Sequence, residues 1–239
     1  MNKEKKIKLY LGVTYLLIIA IFLWFFFTNY TFTEISSYEF VKNNRDKIIE
    51  LKNSNLYLVG IIFIILTIFW ILLLGFASPV CLLAGFIFDK WLGTIIVAFG
   101  LSVGATLVYL IANFFFKKII EEKFSKKFIS LNQKFKKNQF LFFLIYRFVG
   151  GIPFFISNIL PTLFNIKTKI FFLGSLIGMT PQLFVWVSLG SGLEKIVHSN
   201  SQPPSLMELF FSPEIYIPIL AFLLLVALGA LVKKLYYTK

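Results

Sequence analysis

A single cysteine, Cys81, leaves no partner for a disulfide within the chain, and a single histidine, His198, cannot build a metal site by itself. Acidic residues are scarce, 11 against 24 lysines and arginines, and none lies deep in an apolar run; Asp89 stands at the edge of one. Paired carboxylates, a nucleophile beside a base, a phosphate-cradling glycine loop and an HExxH pattern are all missing. Enzymatic catalysis and a resident cofactor therefore have no residues to rest on. Despite the net charge of +13, the basic residues lie between apolar runs and form no aromatic-interleaved patch, which speaks against nucleic acid as a partner.

What the chain has is apolar surface. Of its 239 residues, 58% are apolar and only 15% charged, whereas a soluble domain carries about 25% charged residues. With 31 phenylalanines and a mean hydropathy of +0.83, most of it needs lipid as its solvent. Five stretches approach spanning length: 10–27, 56–77, 92–116, 171–189 and 215–232. Two more, 79–88 and 140–164, are apolar but interrupted by proline, the second also by glycine and arginine, so they read as re-entrant or broken elements. The first run follows Lys3, Lys5, Lys6 and Lys8; it is too long for a signal-peptide core and lacks a small-x-small site, so it reads as a retained anchor.

Lysine placement orients the chain. The N-terminus, 117–137, Lys167 with Lys169, and the C-terminal Lys233, Lys234 and Lys239 are strongly basic and carry only Glu4, Glu121 and Glu122 as acids. These segments, both termini included, are expected on the cytoplasmic side, and the acid-rich loops 28–55 and 191–214 outside. Parity then requires 56–89 to enter and return as a hairpin with Pro79 near its turn, and 140–164 to do the same from the cytoplasm. Ile120, Phe124, Phe128, Leu131 and Phe135 recur at helical spacing among lysines, which fits an amphipathic helix on an anionic inner leaflet or a plain basic connector. Ser36 with Glu39 forms a capping box before a mixed-charge helix to Leu51, and Ser212 to Glu214 cap the last membrane helix.

An offset of 74 aligns Pro79 with Pro153, Gly100 with Gly174, Gly104 with Gly178, and Thr106 with Thr180. Each copy reads as a proline-containing hairpin followed by a helix bearing Gly-x-x-x-Gly. Combined with the charge pattern, the copies take inverted topology, an architecture of transporters. Chance is the competing explanation, since glycine and proline are common in membrane helices. The glycine faces permit close packing, most simply between the two repeat helices; a homodimer contact is the alternative use.

Arg147 is the one ionisable side chain deep in an apolar stretch. Nine residues beyond Asn138 at about 1.5 Å each, it lies roughly 13 Å into a core about 30 Å thick. A guanidinium there wants a partner or a task, and phosphate is its natural ligand; pairing with carbonyls freed near Gly150, Gly151 and Pro153, or snorkelling to the surface, is the structural alternative. Asn158, Asn113, Ser157, Ser102, Thr106, Ser175, Thr180 and Gln182 supply neutral polar groups that line a groove or bond between helices. Trp91, Trp186, Tyr236 and Tyr237 read as interface anchors.

These residues bring a family into view. Arg147, Pro153-Phe154, Asn158, Gly174-Ser175-x-x-Gly178-x-x-Pro181 and Gly190, with Ala84-Gly85-x-x-Phe88 and Gly104-Ala105 in the first copy, make the segment from Gly75 to Gly192 resemble the DedA superfamily. The likeness is to its SNARE-associated Golgi protein branch with a VTT domain. Asp89 stands where that family usually has Gly, Asn113 where Arg is common and Trp186 where Tyr is usual, and the acidic residue of DedA proteins near the first hairpin's proline is missing, which weighs against proton coupling. The resemblance implies two facing re-entrant hairpins and movement of lipid across the bilayer, by scrambling phospholipid or translocating a polyprenyl phosphate.

The expectation is thus an all-α polytopic membrane protein: an anchor and outer loop over 1–54, an inverted-repeat membrane domain over 55–192, and an outer loop with a C-terminal transmembrane helix over 193–239. Arg147, Pro153, Asn158, Pro79 and Asn113 are its candidate substrate-binding residues, and Gly100, Gly104, Gly174 and Gly178 its helix-packing ones. Membrane lipids, anionic head groups among them, are the expected partners, with a second copy of the chain as a further one, and no cofactor or metal. A secondary transporter of a small ion or anionic solute is the alternative function. A third is a non-transporting membrane organiser acting through 117–137. Lys, Asn, Ile and Phe usage suits an AT-rich genome and hence a bacterial inner membrane.

Overall fold

A computed structural model describes residues 38–73, 75–124, 138–199 and 205–237, with isolated helical positions between Tyr10 and Thr28. The chain divides into two units, Met1–Glu50 and Leu51–Lys239. In the first, the described positions of the N-terminal run are helical, and the Thr28 hydroxyl donates to the Trp24 carbonyl at 2.8 Å, one turn back. Helix α1, Tyr38–Ser54, outlasts its expected end at Leu51. Ser36 of the capping box, and Phe128, Leu131 and Phe135 of the amphipathic stretch, lie outside the described residues.

The second unit is all helix among the described residues: α2 Leu56–Leu72, α3 Ala77–Phe124, α4 Gln139–Val149, α5 Phe154–Ile159 running into a 3-10 turn Leu160–Phe164, α6 Thr168–Ser199, α7 Leu206–Phe211 and α8 Pro213–Tyr237. Ala77–Phe115 of α3, all of α6 and Pro213–Val232 of α8 are long and apolar enough to cross a membrane. The expected span 56–77 ends early at Leu72; α4 and the α5 segment are shorter apolar pieces. Ile61, Ile65 and Leu66 on α2 and Leu220, Leu223 and Leu224 on α8 stand exposed. Helices with such outward faces need hydrocarbon around them, and their intrahelical hydrogen bonds satisfy the backbone there.

Two runs share an order of elements: helix, break, short helix, break, long helix. Each opens on an asparagine whose side-chain oxygen accepts from the amide three residues on, Asn55 from Leu58 and Asn138 from Leu141, both at 3.0 Å, so the first turn's donors are met. The first break includes Leu73, Gly75 and Phe76, where the Trp70 indole donates to the Phe76 carbonyl at 2.9 Å. Pro79 follows in the first turn of the next helix, where a missing N–H costs nothing. The second break is Gly150 to Pro153, with Gly150 at φ +63° and Gly151 at φ +78°.

Helix α3 is itself broken at Asp89, whose φ of 64° and ψ of 172° fall in a region that in practice only glycine occupies. The resembling family's usual glycine at this position now has its physical reason. Asp89 is held there by its carboxylate, which accepts from the Lys90 amide at 2.7 Å and from the Ser191 hydroxyl of α6. Asp89→Ala, which keeps the strain and loses both bonds, is expected to destabilise by about 1–3 kcal/mol, whereas Asp89→Gly trades bonds for relief and should come close to neutral. Thermal unfolding of the purified variants measures the order; alanine equal to glycine would show that the backbone is unstrained.

The glycine faces pack differently from the simplest expectation. A Cβ on Gly100 would meet Thr67 at 3.1 Å and one on Gly104 would meet Ile71 at 3.0 Å, so this pair lies against α2. On α6, Gly174 faces Phe143 at 2.6 Å and Gly178 faces Arg147 and Leu144 at 2.8 Å, all of α4. Each Gly-x-x-x-Gly therefore receives the first helix of its own run and not the opposite long helix. The crossings between runs use other glycines: Gly85 would meet the Val187 carbonyl and Gly190 the Leu82 carbonyl, at 1.9 and 2.0 Å. Helices α3 and α6 meet through a core of Val97, Leu101, Met179, Leu183 and Val187, and a second core joins Tyr109 to Phe143, Phe164 and Phe171.

Candidate functional site

The α4 sequence QFLFFLIYRFV is apolar on nearly every face until Arg147 in its last turn, where the helix dipole favours a cation. Gly150 then ends the helix by turning to positive φ, and one carbonyl left over at that end, Phe148, accepts from the Gln182 side chain of α6 at 2.6 Å. Gly150 suits this turn because its φ of +63° strains any residue with a side chain, and a Cβ would also displace the Gln182 amide, 2.8 Å away.

Arg147 is 4% exposed. Its Nε donates to the Ser175 hydroxyl of α6 and its Nη1 to the Ser157 hydroxyl of α5, both at 3.0 Å. Ser157 is fixed in turn by donating to the Phe154 carbonyl at 2.7 Å, while the Tyr146 hydroxyl donates to the Ser157 carbonyl at 3.1 Å. The guanidinium carbon stands 5.2 Å from the Phe143 ring centre and 4.9 Å from that of Phe171, within cation–π range. Phe171 stacks on Tyr109 at 4.3 Å, and Tyr109 donates to the Ile166 carbonyl at 2.6 Å, so the aromatic floor is anchored from α3.

The guanidinium is oriented but not neutralised. Among the described residues no carboxylate pairs with Arg147, and its Nη2 has no hydrogen-bond partner. It lines a pocket of about 160 Å³ with Tyr146, Gly150, Gly151, Ile152, Phe154, Ser157, Met179 and Gln182. A buried cation with fixed geometry, one vacant donor and a cleft beside it suits a tetrahedral or planar oxyanion. The matching position in the first run is apolar: Gly104 faces Ile71 where Gly178 faces Arg147. The charge is therefore confined to one run.

Sequence-predicted residues distribute unevenly around this cleft. Arg147 is in it. Asn158, one residue past Ser157, is fully buried with both side-chain polar atoms unpartnered, but does not line the pocket; Thr162 and Ser102 are likewise buried with unpartnered hydroxyls. Pro153 terminates the break and is exposed, Pro79 is exposed in the other run, and Asn113 is half-buried on α3 with an unpartnered side-chain oxygen. None of these three lines the pocket. Phe143, Phe171 and Tyr146 escaped sequence reasoning as site residues; Phe143 one helical turn before Arg147 was the available signal, while Phe171 is brought in only by the fold.

Comparison with known proteins adds three findings. Residues 76–192 match the VTT domain. The chain is 26% identical over 155 residues to a transmembrane protein 41 homolog of Caenorhabditis elegans, covering 62% of this chain and 61% of that one. It is 27% identical over 136 residues to transmembrane protein 41B of Xenopus laevis and 24% to that of Homo sapiens, covering 53% of this chain and 48% and 46% of theirs. The chain thus spans about half to three-fifths of the length of these curated relatives. No solved structure matches.

Proposed function

Because the chain belongs to the VTT-domain family of membrane proteins, we propose that it moves lipid between leaflets, as a phospholipid scramblase or a translocase of a lipid phosphate such as a polyprenyl phosphate, in support of membrane homeostasis. The observation that carries this reading is the buried, carboxylate-free Arg147, which lines a cleft and whose Nη2 has no hydrogen-bond partner. A membrane protein tolerates such a group, at about 2.5–3.5 kcal/mol of insertion cost, when it meets an anion or a polar path.

In the proposed mechanism the two runs have inverted topology, so their breaks approach from opposite sides and the hydrocarbon barrier between them is thinned. The segment Gly150 to Pro153 leaves backbone polar groups at depth, tolerated because they line a cavity. A lipid phosphate entering there accepts from Arg147 while its acyl chains stay outside, against the exposed faces of the helices. Ser157, Ser175 and the two aromatic rings are positioning residues that hold the guanidinium in wait. Among the described residues no carboxylate pairs with Arg147 to form a proton relay, and the movement we propose runs down the lipid gradient. The setting we propose is a bacterial inner membrane, with both termini and the basic segment after α3 on the cytoplasmic side.

Reconstitution tests it. In liposomes carrying head-group-labelled phospholipid, an impermeant quencher should remove signal well beyond the roughly half that belongs to the accessible leaflet. Quenching that stops there with every lipid, polyprenyl phosphate included, overturns the reading and turns attention to uptake of a soluble anion.

A further inference from the structure

A second cavity lies at the other end of α6, where α6 finishes, α8 begins and α3 breaks. It measures about 310 Å³ and is lined by Lys90, Lys195 and Glu214, by Ser188 and Ser191, and by an apolar wall that includes Ile217. Ser175, which holds Arg147, and Ser191 are separated on α6 by 16 residues, or about 24 Å at 1.5 Å per residue, so this cavity is distinct from the Arg147 cleft.

Two observations define what it would take. The first is charge. Lys90, Lys195 and Glu214 share the lining, and the Asp89 carboxylate is tied to it by accepting from the Ser191 hydroxyl. The lining carries two ammonium groups and one carboxylate, and with the Asp89 carboxylate bonded to Ser191 the charges balance, so a ligand with no net charge fits this partly apolar cavity best. A ligand with both a phosphate and an ammonium meets the lysines with one end and Glu214 with the other. The second is the wall. Ile217 and Ala221 continue onto the exposed face of α8, where Leu220 and Leu224 are 59% and 63% exposed, so an apolar tail leaving the cavity runs along a surface that already faces hydrocarbon.

The geometry points to a site for a zwitterionic glycerophospholipid of the bilayer: phosphate on Lys90 and Lys195, head-group ammonium on Glu214, one acyl chain along Ile217 and Ala221. Asp89 positions the site without touching the lipid, because its strained backbone and its bonds to Lys90 and Ser191 fix the α3 break against α6. The inference rests on the membrane-lipid reading above for its setting, and it adds a second lipid station that the Arg147 cleft does not require.

The test is photolabelling of the full chain in detergent with phosphatidylethanolamine carrying a diazirine on one acyl chain, followed by mapping of the labelled peptides. Label is expected on 213–221. Unlabelled phosphatidylethanolamine or phosphatidylcholine should displace it, and which of the two does so better identifies the ammonium that the site prefers; phosphatidylglycerol displacing it equally well overturns the zwitterion assignment. Lys90→Gln with Lys195→Gln should cut labelling about tenfold, Glu214→Gln should shift competition toward phosphatidylglycerol, and Ala221→Trp should block labelling without altering charge. Labelling indifferent to all three overturns the site. Arg147→Met should label normally. A wild-type chain that is labelled on 213–221 but moves no lipid overturns the lipid-movement reading alone, and one that moves lipid without label on 213–221 overturns this site alone.

Discussion

Arg147→Met is expected to slow lipid movement in liposomes about tenfold or more while leaving the protein as stable as before. A hydrogen bond to a charged group contributes about 1.5–3 kcal/mol, and removing it from the rate-limiting position costs that much in barrier. Stability behaves differently because Arg147 is buried without a carboxylate, with Nη2 unpartnered. Replacing buried charge with a well-packed apolar side chain is often neutral or stabilising by about 1–4 kcal/mol. Methionine has similar reach, and its thioether suits the Phe143 and Phe171 rings that the guanidinium now covers. The Ser175 hydroxyl loses its donor, an opposing cost of about 1–3 kcal/mol. Arg147→Lys keeps the charge but loses the fork that engages two serines at once, so its rate should fall between the two. The paired measurement is quencher access in liposomes and thermal unfolding in detergent. A well-inserted methionine variant that moves lipid at the wild-type rate would end the functional role of Arg147; one that unfolds easily would make the arginine structural.

Gly190→Ala and Gly85→Ala are expected to be the most damaging single-methyl additions, each destabilising by about 3 kcal/mol or more. The new Cβ would lie 2.0 Å from the Leu82 carbonyl in the first and 1.9 Å from the Val187 carbonyl in the second. Both obstacles are backbone, so no rotamer change relieves them and two helices must separate along a close-packed crossing. Gly229→Ala is the control: its nearest atom, the Val149 carbonyl, is 3.3 Å away, and a shift of a few tenths of an ångström suffices. Gly100→Ala belongs with it, because Thr67 Cγ2 at 3.1 Å is a side-chain atom. Unfolding temperature and monodispersity in detergent read the series. If Gly190→Ala matches Gly229→Ala, the short helix before Asp89 does not press on α6 as closely as described.

Much of the architecture was legible because membrane helices obey composition. Continuous apolar runs marked α3, α6 and α8, and proline with glycine marked the break at 150–153, whereas the helix expected to run through 56–77 stops at Leu72, ahead of the turn expected near Pro79. Arg147 stood out because charge in hydrocarbon is expensive wherever the chain folds. Less could be read of its surroundings. Phe171 and Ser175 reach it from α6, and Ser157 from α5, through crossings that depend on which helices are neighbours.

The partners of the glycines divide along the same line. Spacing of four announces a face flat enough for close approach, but not which helix will use it. Gly100, Gly104, Gly174 and Gly178 each received the first helix of their own run, while Gly85 and Gly190, with no pattern to mark them as a pair, carry the crossing between runs. Asp89 shows the same limit: its type predicts a polar end to an apolar helix, and only the backbone at φ 64°, locked by Ser191 more than a hundred residues later, makes it the joint of α3. What hydrophobicity, charge and helix-end chemistry decide residue by residue, the sequence alone determined. Who packs against whom is a property of distant surfaces fitting together, and that the tertiary structure decided.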